Sequence, residues 1–169
     1  VGIFGHSGGG FMATAAICTY PDFYKAAVSS SGNHDNNIYN RGWVEIYNGV
    51  QESTKTIQTA TGKDSIIYTF SSHVPTNMEL AKNLKGHLLL VSGDQDRNVH
   101  PAHLLRMANA LIQANKNFEM LLIPGAKHGY TGQANRFFEK KLWFHFAKYL
   151  LGDDSADYQG DIDYFMKKR

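Results

Sequence analysis

The sequence predicts an α/β fold in which a mostly parallel sheet carries helices on both faces. Short, almost continuously apolar segments alternate with longer segments of helical periodicity, which is typical of parallel strands joined by crossover helices. Turns rich in Gly, Ser, Asn or Asp follow the predicted strands, and most of them lead to a helix. The chain has 169 residues, 43% of them hydrophobic, which is enough for one domain with a sizeable core.

Four strands are predicted, at residues 1–4, 26–30, 87–92 and 118–123. Each segment is short and apolar along most of its length rather than alternating between apolar and polar residues. Such segments are expected where both faces of a sheet are covered.

Helical spacing of apolar side chains predicts three helices. The first spans about residues 9–19 and ends at Tyr20, because a residue before proline disfavours the helical conformation. Its predicted core face is Phe11, Met12, Ala15, Ala16 and Thr19. The second starts at Pro101, and its apolar residues are Leu104, Leu105, Ala108, Leu111 and Ile112. The third spans about residues 135–151 and stops at Gly152, with an apolar side of Phe138, Leu142, Phe146, Tyr149 and Leu150.

The predicted domain organisation is a partial catalytic domain at residues 1–152 and a surface extension at residues 153–169. Residues 33–85 are too many for a simple crossover, so we expect a helical insertion over one end of the sheet. Within it, residues 39–47 have an aromatic helical pattern, and residues 51–63 are expected to form a polar, Thr-rich loop.

Composition excludes several classes of protein. The formal net charge is only +2, without a long basic run, which argues against nucleic-acid binding. No apolar stretch approaches the roughly 20 residues of a membrane span. The single cysteine, Cys18, cannot form an internal disulfide, so packing must hold the fold and the compartment stays undetermined.

Residues 5–9, here called the serine turn, fit the pattern G-x-S-x-G between a predicted strand and a predicted helix. A sharp turn exposes the central Ser7 as a nucleophile, and we expect Gly5, Gly8 and Gly9 to be small because neighbouring elements come close. The helix start directs backbone N–H groups toward developing negative charge, with the Gly8 N–H as the expected oxyanion donor. The alternative is a glycine-rich corner or phosphate loop, but the lysine of a phosphate loop is missing.

A serine nucleophile needs an orienting acid and a base, which follow in that order at the carboxyl ends of later strands. Asp94 and Asp96 follow the third predicted strand, and His128 follows the fourth. We favour Asp96, since it stands farther out and can reach the histidine, whereas Asp94 fits a hydrogen bond to loop backbone.

Other histidines are weaker candidates for this chemistry. His100 and His103 have the spacing of a metal pair at a helix start, but no third ligand accompanies them, so we expect no metal and no cofactor. His145 lies within the final predicted helix and is interpreted as a packed or surface residue.

The runs G-H-S-G-G-G at 5–10, G-D-Q-D-R-N-V-H at 93–100 and H-G at 128–129 resemble the catalytic domain of the prolyl oligopeptidase family of serine peptidases, in its dipeptidyl peptidase IV-like branch. The resemblance covers nearly the whole chain, and residues 96–100 are its specific part. It implies an α/β-hydrolase fold in which Ser7, Asp96 and His128 are nucleophile, acid and base.

The resemblance also implies substrate contacts. Asn98 matches an asparagine that contacts the substrate backbone, and Tyr39 and Trp43 match aromatics that line a pocket for a proline-sized side chain. The alternative for Tyr39 and Trp43 is helix packing. The implied partners are a peptide substrate and, for the full-length protein, a second copy in a homodimer.

The sequence departs from the family by showing no further strands before the one at residues 1–4, no second oxyanion donor from a tyrosine and no β-propeller. We therefore expect the C-terminal portion of the α/β-hydrolase domain, with an exposed first strand and no activity in isolation.

The leading hypothesis is a serine peptidase, of dipeptidyl or oligopeptidase type, that cleaves after proline or alanine. A carboxylesterase could use the same triad, because fold and triad do not set the acyl group. A non-catalytic interaction protein of the same fold is the third hypothesis.

Overall fold

The computed structural model describes residues 1–71 and 74–157. The strands are β1 (Gly2–His6), β2 (Ala26–Ser30), β3 (Gln51–Gln58), β4 (Asp64–Ser71), β5 (His87–Gly93) and β6 (Glu119–Ile123). The helices are α1 (Gly8–Thr19), α2 (Arg41–Asn48), α3 (Asn77–Leu80), α4 (Ala102–Gln113) and α5 (Gly132–Phe146). One π-helical turn at Ala147–Leu151 continues α5. The chain divides into two compact units, residues 35–76 and the rest.

The larger unit contains a four-stranded, all-parallel sheet with the strand order β1-β2-β5-β6. The two central strands are almost wholly buried, whereas β1 and β6 form the edges of the described sheet. Because every strand runs in the same direction, the loops after β1, β5 and β6 all lie at its carboxyl edge, as expected where an α/β sheet carries its site.

Helices cover both faces of this sheet. On one face, α1 and α4 pack on Ala27, Leu88 and Leu90, and on the other face α5 packs on Val28, Leu89 and Val91. Alternate residues of a strand therefore enter different halves of the core, which explains the continuous apolar runs of the sequence. The predicted α/β class and the four predicted strands are confirmed, with ends shifted by up to two residues.

The predicted core face of α1 is wrong. Its buried residues are Gly10, Ala13, Thr14, Ile17 and Cys18, whereas Met12 is 59% exposed. Small or apolar residues of α1 occupy every face of the helix, so the periodicity of its sequence carries little information about which face is buried. In α4, Leu105 and Ile112 are likewise exposed, although Leu104, Ala108 and Leu111 are buried as predicted.

The third predicted helix forms, but α5 starts three residues earlier than expected, at Gly132. Its π-helical continuation ends at Gly152, whose φ of 70° is the left-handed conformation typical of a helix stop. The predicted extension at residues 153–169 falls mostly outside the described residues.

The smaller unit is not the purely helical insertion that the sequence predicted, because it also contains two strands. It contains α2, which overlaps the predicted aromatic segment, followed by an antiparallel hairpin in which Gln51 pairs with Ser71 and Gln58 with Asp64. Residues 51–63 are thus a strand and a turn instead of a polar loop. Nearly every hairpin side chain is exposed, so the segment lacks the apolar alternation of a half-buried strand, and only its β-branched residues indicate β-structure.

No helix in the described ranges is both long and apolar enough to cross a membrane.

Candidate active site

Ser7 lies at the junction of β1 and α1 in a strained backbone conformation. Its φ is 59° and its ψ is −123°, an unusual combination for a residue with a side chain. The Ser7 N–H donates to the Ser30 carbonyl at 2.8 Å, which ties the turn to β2, and the Ser7 carbonyl accepts from the Phe11 N–H. The Ser7 side chain does not cap the helix. Its hydroxyl is therefore available to a group outside α1.

The glycines of the serine turn serve different purposes. A Cβ on Gly5 would collide with the backbone of Gly9, so Gly5 is required by close approach. The same test finds no atom within 4 Å of a Cβ on Gly9. The expectation that Gly9 must be small for lack of space is therefore wrong. The close approach is between the Gly9 backbone and the Cα of Gly5.

Asp96 lies in the loop after β5 and is 1% exposed. Its Oδ1 atom accepts hydrogen bonds from the backbone N–H groups of Asn98 and Val99, each at 2.9 Å. An aspartate suits this position because its carboxylate accepts from the main chain of the turn that follows it, at residues 96–99. Two backbone donors fix the carboxylate and leave Oδ2 to face another partner.

His128 lies in the loop after β6 (residues 124–131, the histidine loop) and brings the other two residues together. Its Nδ1 atom is 2.8 Å from Asp96 Oδ2, and its Nε2 atom is 3.0 Å from Ser7 Oγ. The His128 side chain is 24% exposed, whereas that of Asp96 is fully buried. A nucleophile, a base and an orienting acid within hydrogen-bond reach are the arrangement used for covalent catalysis.

Asp94, the alternative acid, lies elsewhere in the same loop. Its Oδ1 atom accepts from the Gly125 N–H at 2.6 Å, and Gln95 N–H donates to the Ala126 carbonyl at 3.0 Å. These contacts join the loop after β5 to the histidine loop. Asp94 thus makes the loop-backbone hydrogen bond considered for it from the sequence and helps to place the segment that carries His128.

A second histidine, His6, stands beside His128 and was missed as a site residue by the sequence reasoning. The two rings are 4.8 Å apart, and His6 Nδ1 is 2.9 Å from Ser30 Oγ. Ser30 Oγ donates in turn to Tyr130 Oη at 3.0 Å, and Ser31 Oγ lies 3.1 Å from the same atom. The available signal was positional, because His6, Ser30 and Tyr130 all stand at or just beyond the ends of parallel strands.

Electrostatics keep this second group uncharged. Desolvation by its neighbours and then the proximity of His128 lower the pKa of His6, although Asp96 opposes the shift. Burial raises the pKa of Tyr130. Both shifts favour neutral side chains that can donate and accept hydrogen bonds beside His128.

The predicted substrate residues each have their own surroundings. Gly8 begins α1, so its N–H is one of the first four that lack an acceptor within the helix. Asn98 is exposed beside Asp96. Tyr39 and Trp43 belong to the smaller unit, where their rings pack edge to face 5.5 Å apart and Trp43 also packs on Tyr47. Their roles toward a substrate stay predictions.

Among the residues that the structure describes, other reactive side chains offer no competing site. Burial raises the pKa of Cys18 to about 12, which keeps its thiol protonated. His145 is buried and contacts the His87 carbonyl, and exposed His100 accepts from the Ala102 N–H. Within residues 1–71 and 74–157, no three His, Cys, Asp or Glu side chains are arranged to hold a metal ion.

Solved structures of two bacterial peptidases resemble this chain. A dipeptidyl aminopeptidase IV from Bacteroides ovatus superposes with a TM-score of 0.71 at 24% identity, covering 88% of this chain and 19% of its own. Dipeptidyl peptidase 4 from Porphyromonas gingivalis gives a TM-score of 0.67 at 26% identity, covering 86% of this chain and 19% of its own. The predicted α/β-hydrolase type of fold is thereby confirmed.

Sequence relatives agree with the structural ones. Dipeptidyl peptidase 8 of Mus musculus and of Homo sapiens is 28% identical over 157 residues, which cover 92% of this chain and 16% of the relative. Prolyl endopeptidase FAP of Bos taurus is 23% identical over 150 residues, 89% of this chain and 18% of its own length. The chain thus spans less than a fifth of these relatives. A model of the prolyl oligopeptidase family matches residues 1–154, and the chain therefore belongs to that family.

Proposed function

We propose that this chain carries the reacting groups of a serine peptidase that hydrolyses peptide bonds through an acyl-enzyme on Ser7. The observation that carries the proposal is the pair of contacts made by one His128 ring, 3.0 Å to Ser7 Oγ and 2.8 Å to Asp96 Oδ2. In it, Ser7 is the nucleophile, His128 the general base and Asp96 the orienting acid. Membership in the prolyl oligopeptidase family supports these roles.

Acylation uses both nitrogens of His128. An ionised Asp96 can only accept a hydrogen bond, so neutral His128 carries its proton on Nδ1 and accepts from Ser7 through Nε2. Ser7 Oγ attacks the substrate carbonyl carbon while its proton passes to Nε2. The imidazolium then gives that proton to the amine nitrogen, the C–N bond breaks and the acyl group stays on Ser7.

Deacylation repeats the sequence with water. Water loses a proton to Nε2 as its oxygen attacks the ester carbonyl carbon. The bond to Ser7 Oγ then breaks, the proton returns to Ser7, and the carboxylic acid product leaves. In both halves, the Gly8 N–H donates to the oxyanion at the start of α1, where backbone N–H groups favour negative charge.

The substrate class proposed is a peptide cut after proline or alanine, by a dipeptidyl or oligopeptidase activity. The names of the relatives support this class, since the dipeptidyl peptidases fit dipeptidyl activity and the prolyl endopeptidase fits proline recognition. In this proposal Asn98 contacts the substrate backbone, and Tyr39 and Trp43 line the pocket for the side chain before the cut. The protein expressed at full length acts as a homodimer, which size-exclusion chromatography with light scattering tests.

The experiment compares acyl groups and nucleophile variants in the protein expressed at full length. Gly-Pro and Ala-Pro arylamides are expected to turn over, and a fluorophosphonate probe is expected to label the wild type but not Ser7→Ala. Turnover of short-chain aryl esters alone would replace the peptidase with the carboxylesterase alternative. Labelling that persists in Ser7→Ala would identify a different nucleophile.

A further inference from the structure

The main chain of the histidine loop is held by side chains that come from two neighbouring strand ends. His6 ends β1 and contacts both Ser30 and the main chain of His128 through its ring. Ser30 ends β2 and reaches Tyr130, which follows His128 by two residues. The contacts therefore run from His6 through Ser30 to Tyr130. Both ends of this path meet the histidine loop, one at the His128 main chain and the other at Tyr130.

Buried surroundings make this path well defined. Ser30 and Ser31 are each 1% exposed, and both hydroxyls contact the single Tyr130 hydroxyl. Ser31 has a φ of 46°, an uncommon conformation for a residue with a side chain, and this conformation accompanies its contact with Tyr130. The His6 ring also packs edge to face on Tyr130, with centroids 5.8 Å apart.

We propose that His6, Ser30 and Tyr130 form a hydrogen-bonded bridge that positions His128 against Ser7, with His6 as a positioning residue that must be neutral for turnover. The inference rests on the proposed function, because it assigns the bridge a role in the reaction of Ser7 and His128. The bridge holds the main chain at His128 and the side chain of Tyr130 two residues further on, whereas Asp96 holds the His128 ring. Small misplacements of a reacting group are costly, since a shift of about 1 Å can reduce the rate by about 10²-fold.

Neutrality follows from the packing of the two rings. During each half-reaction His128 becomes an imidazolium 4.8 Å from His6. A second imidazolium at His6 would oppose that charge. Asp96 and the contact with the His128 main chain favour the protonated form of His6, but desolvation and the proximity of His128 act against it, and Tyr130 is neutral. Protonation of His6 should therefore inhibit turnover in addition to protonation of His128 itself.

The test uses His6→Phe, His6→Gln and Tyr130→Phe in the protein expressed at full length, with both arylamide turnover and the rate of fluorophosphonate labelling as readouts. His6→Phe keeps an aromatic ring but no hydrogen bond, and we expect kcat to fall about 10- to 100-fold with KM within twofold. Tyr130→Phe removes one hydroxyl, with an expected loss of about tenfold. The double variant His6→Phe/Tyr130→Phe should be no slower than His6→Phe, because both changes break one bridge.

His6→Gln separates positioning from titration. Glutamine can donate and accept a hydrogen bond but cannot take up a proton, so it should recover most of the turnover lost in His6→Phe. In the wild type the acid limb of log kcat/KM against pH should steepen from a slope of one toward two as His6 is protonated, whereas in His6→Gln it should keep a slope of one. Equal slopes in both proteins would overturn the neutral requirement.

Tyr149→Phe is the matched control, because it removes a tyrosine hydroxyl whose partner is Glu119 rather than a residue of the bridge. It should match the wild type in both readouts. Labelling rates of His6→Phe and Tyr130→Phe equal to the wild-type rate would overturn the bridge while leaving the proposed function standing. Loss of labelling in these variants together with ester-only turnover would support the bridge and contradict the peptidase. A crystal structure of the double variant that keeps His128 Nε2 3.0 Å from Ser7 Oγ would also overturn the bridge.

Discussion

Two histidine–carboxylate pairs lie at opposite ends of the same parallel sheet. At the carboxyl end, His128 Nδ1 is 2.8 Å from Asp96, whose side chain is fully buried. At the amino end, His145 Nδ1 is 3.6 Å from Glu119, whose side chain is 51% exposed. The exposures of the two histidines are reversed, since the His145 side chain is 1% exposed and that of His128 is 24% exposed.

The difference between these pairs concerns what each histidine can reach. The carboxylate at the carboxyl end is fixed by two backbone N–H groups, and the free nitrogen of its histidine points to a hydroxyl in a strained turn. At the amino end, the other histidine nitrogen contacts the His87 carbonyl, and the carboxylate accepts from Tyr149. In the described part of the chain, His145 has no serine or cysteine partner. The pair at the carboxyl end has a buried acid and an accessible base, which favours catalysis. The pair at the amino end has an accessible acid and a buried base, which favours packing of the final helix on the sheet.

The largest expected effect comes from replacing each of the two carboxylates by its amide in a separate variant. Asp96→Asn should lower kcat for arylamides by about 10³–10⁴-fold, because the amide no longer holds the Nδ1-protonated form of His128 and no longer stabilises its imidazolium. Glu119→Gln should stay within twofold of the wild type. The comparison is measured as kcat on both variants at one pH, with circular dichroism as the check on folding. Equal losses in the two variants would mean that Asp96 has only a structural role.

The next effect concerns the contact between the loops at the carboxyl end. A Cβ on Gly93 would collide with the Ala126 carbonyl, so Gly93→Ala should displace the histidine loop and lower kcat/KM by about 10²-fold. Gly129→Ala is the matched control, because a Cβ there meets no atom within 4 Å and the loop is the same. Kinetics and crystal structures of both variants provide the measurement. A displaced loop with unchanged kcat/KM would show that the position of His128 is less critical than we infer.

The sequence predicted where the parallel strands end better than it predicted the hydrogen bonds and ring contacts between the side chains at those ends. The order of Ser7, Asp96 and His128 along the chain, each after a strand, indicated that the three would lie together, since such loops share one edge. The bridge of His6, Ser30 and Tyr130 could not be derived in this way, because it depends on ring orientations rather than on spacing. The hairpin at residues 51–71 was missed for the opposite reason, because its exposed strands carry no burial pattern.

A third histidine, His34, is buried and affects the stability of the protein in acid. It follows β2, and its Nδ1 atom accepts from Asn77 Nδ2 at 3.0 Å. Burial, and then the proximity of His103, lower the pKa of His34 to about 3. Between its unfolded pKa of about 6.5 and this value, the unfolded chain binds a proton that the folded protein does not, so stability decreases as pH falls. The slope from this group is about 1.4 kcal/mol per pH unit at most.

Replacing the histidine tests this account of acid sensitivity. His34→Gln should reduce the loss of unfolding free energy between pH 6.5 and pH 4, while the exposed His100→Gln should leave it unchanged. Denaturant unfolding at a series of pH values provides the measurement. The same acid dependence in His34→Gln and the wild type would assign the effect to other groups, first among them His145, whose pKa burial also lowers.

The smallest effect belongs to the exposed carboxylate of the amino end. Tyr149 donates to Glu119 at 2.7 Å and stacks on His87, with ring centroids 3.7 Å apart. The hydrogen bond to Glu119, followed by desolvation, raises the pKa of Tyr149 to about 12. Because the folded pKa lies above the unfolded value of about 10, this hydroxyl stabilises the protein below pH 10, and its contribution is lost as pH rises toward 12.

Tyr149→Phe should therefore lower the unfolding free energy at pH 7 by about 0.5–1 kcal/mol, since the partner is half exposed and the stacked ring remains. The loss should shrink between pH 10 and pH 12, where the wild type gives up the same hydrogen bond. Denaturant unfolding of both proteins at pH 7, 10 and 11.5 measures the difference. The absence of a difference at all three pH values would show that Tyr149 stabilises the protein through its ring alone, and a change in kcat would show that the two ends of the sheet are coupled.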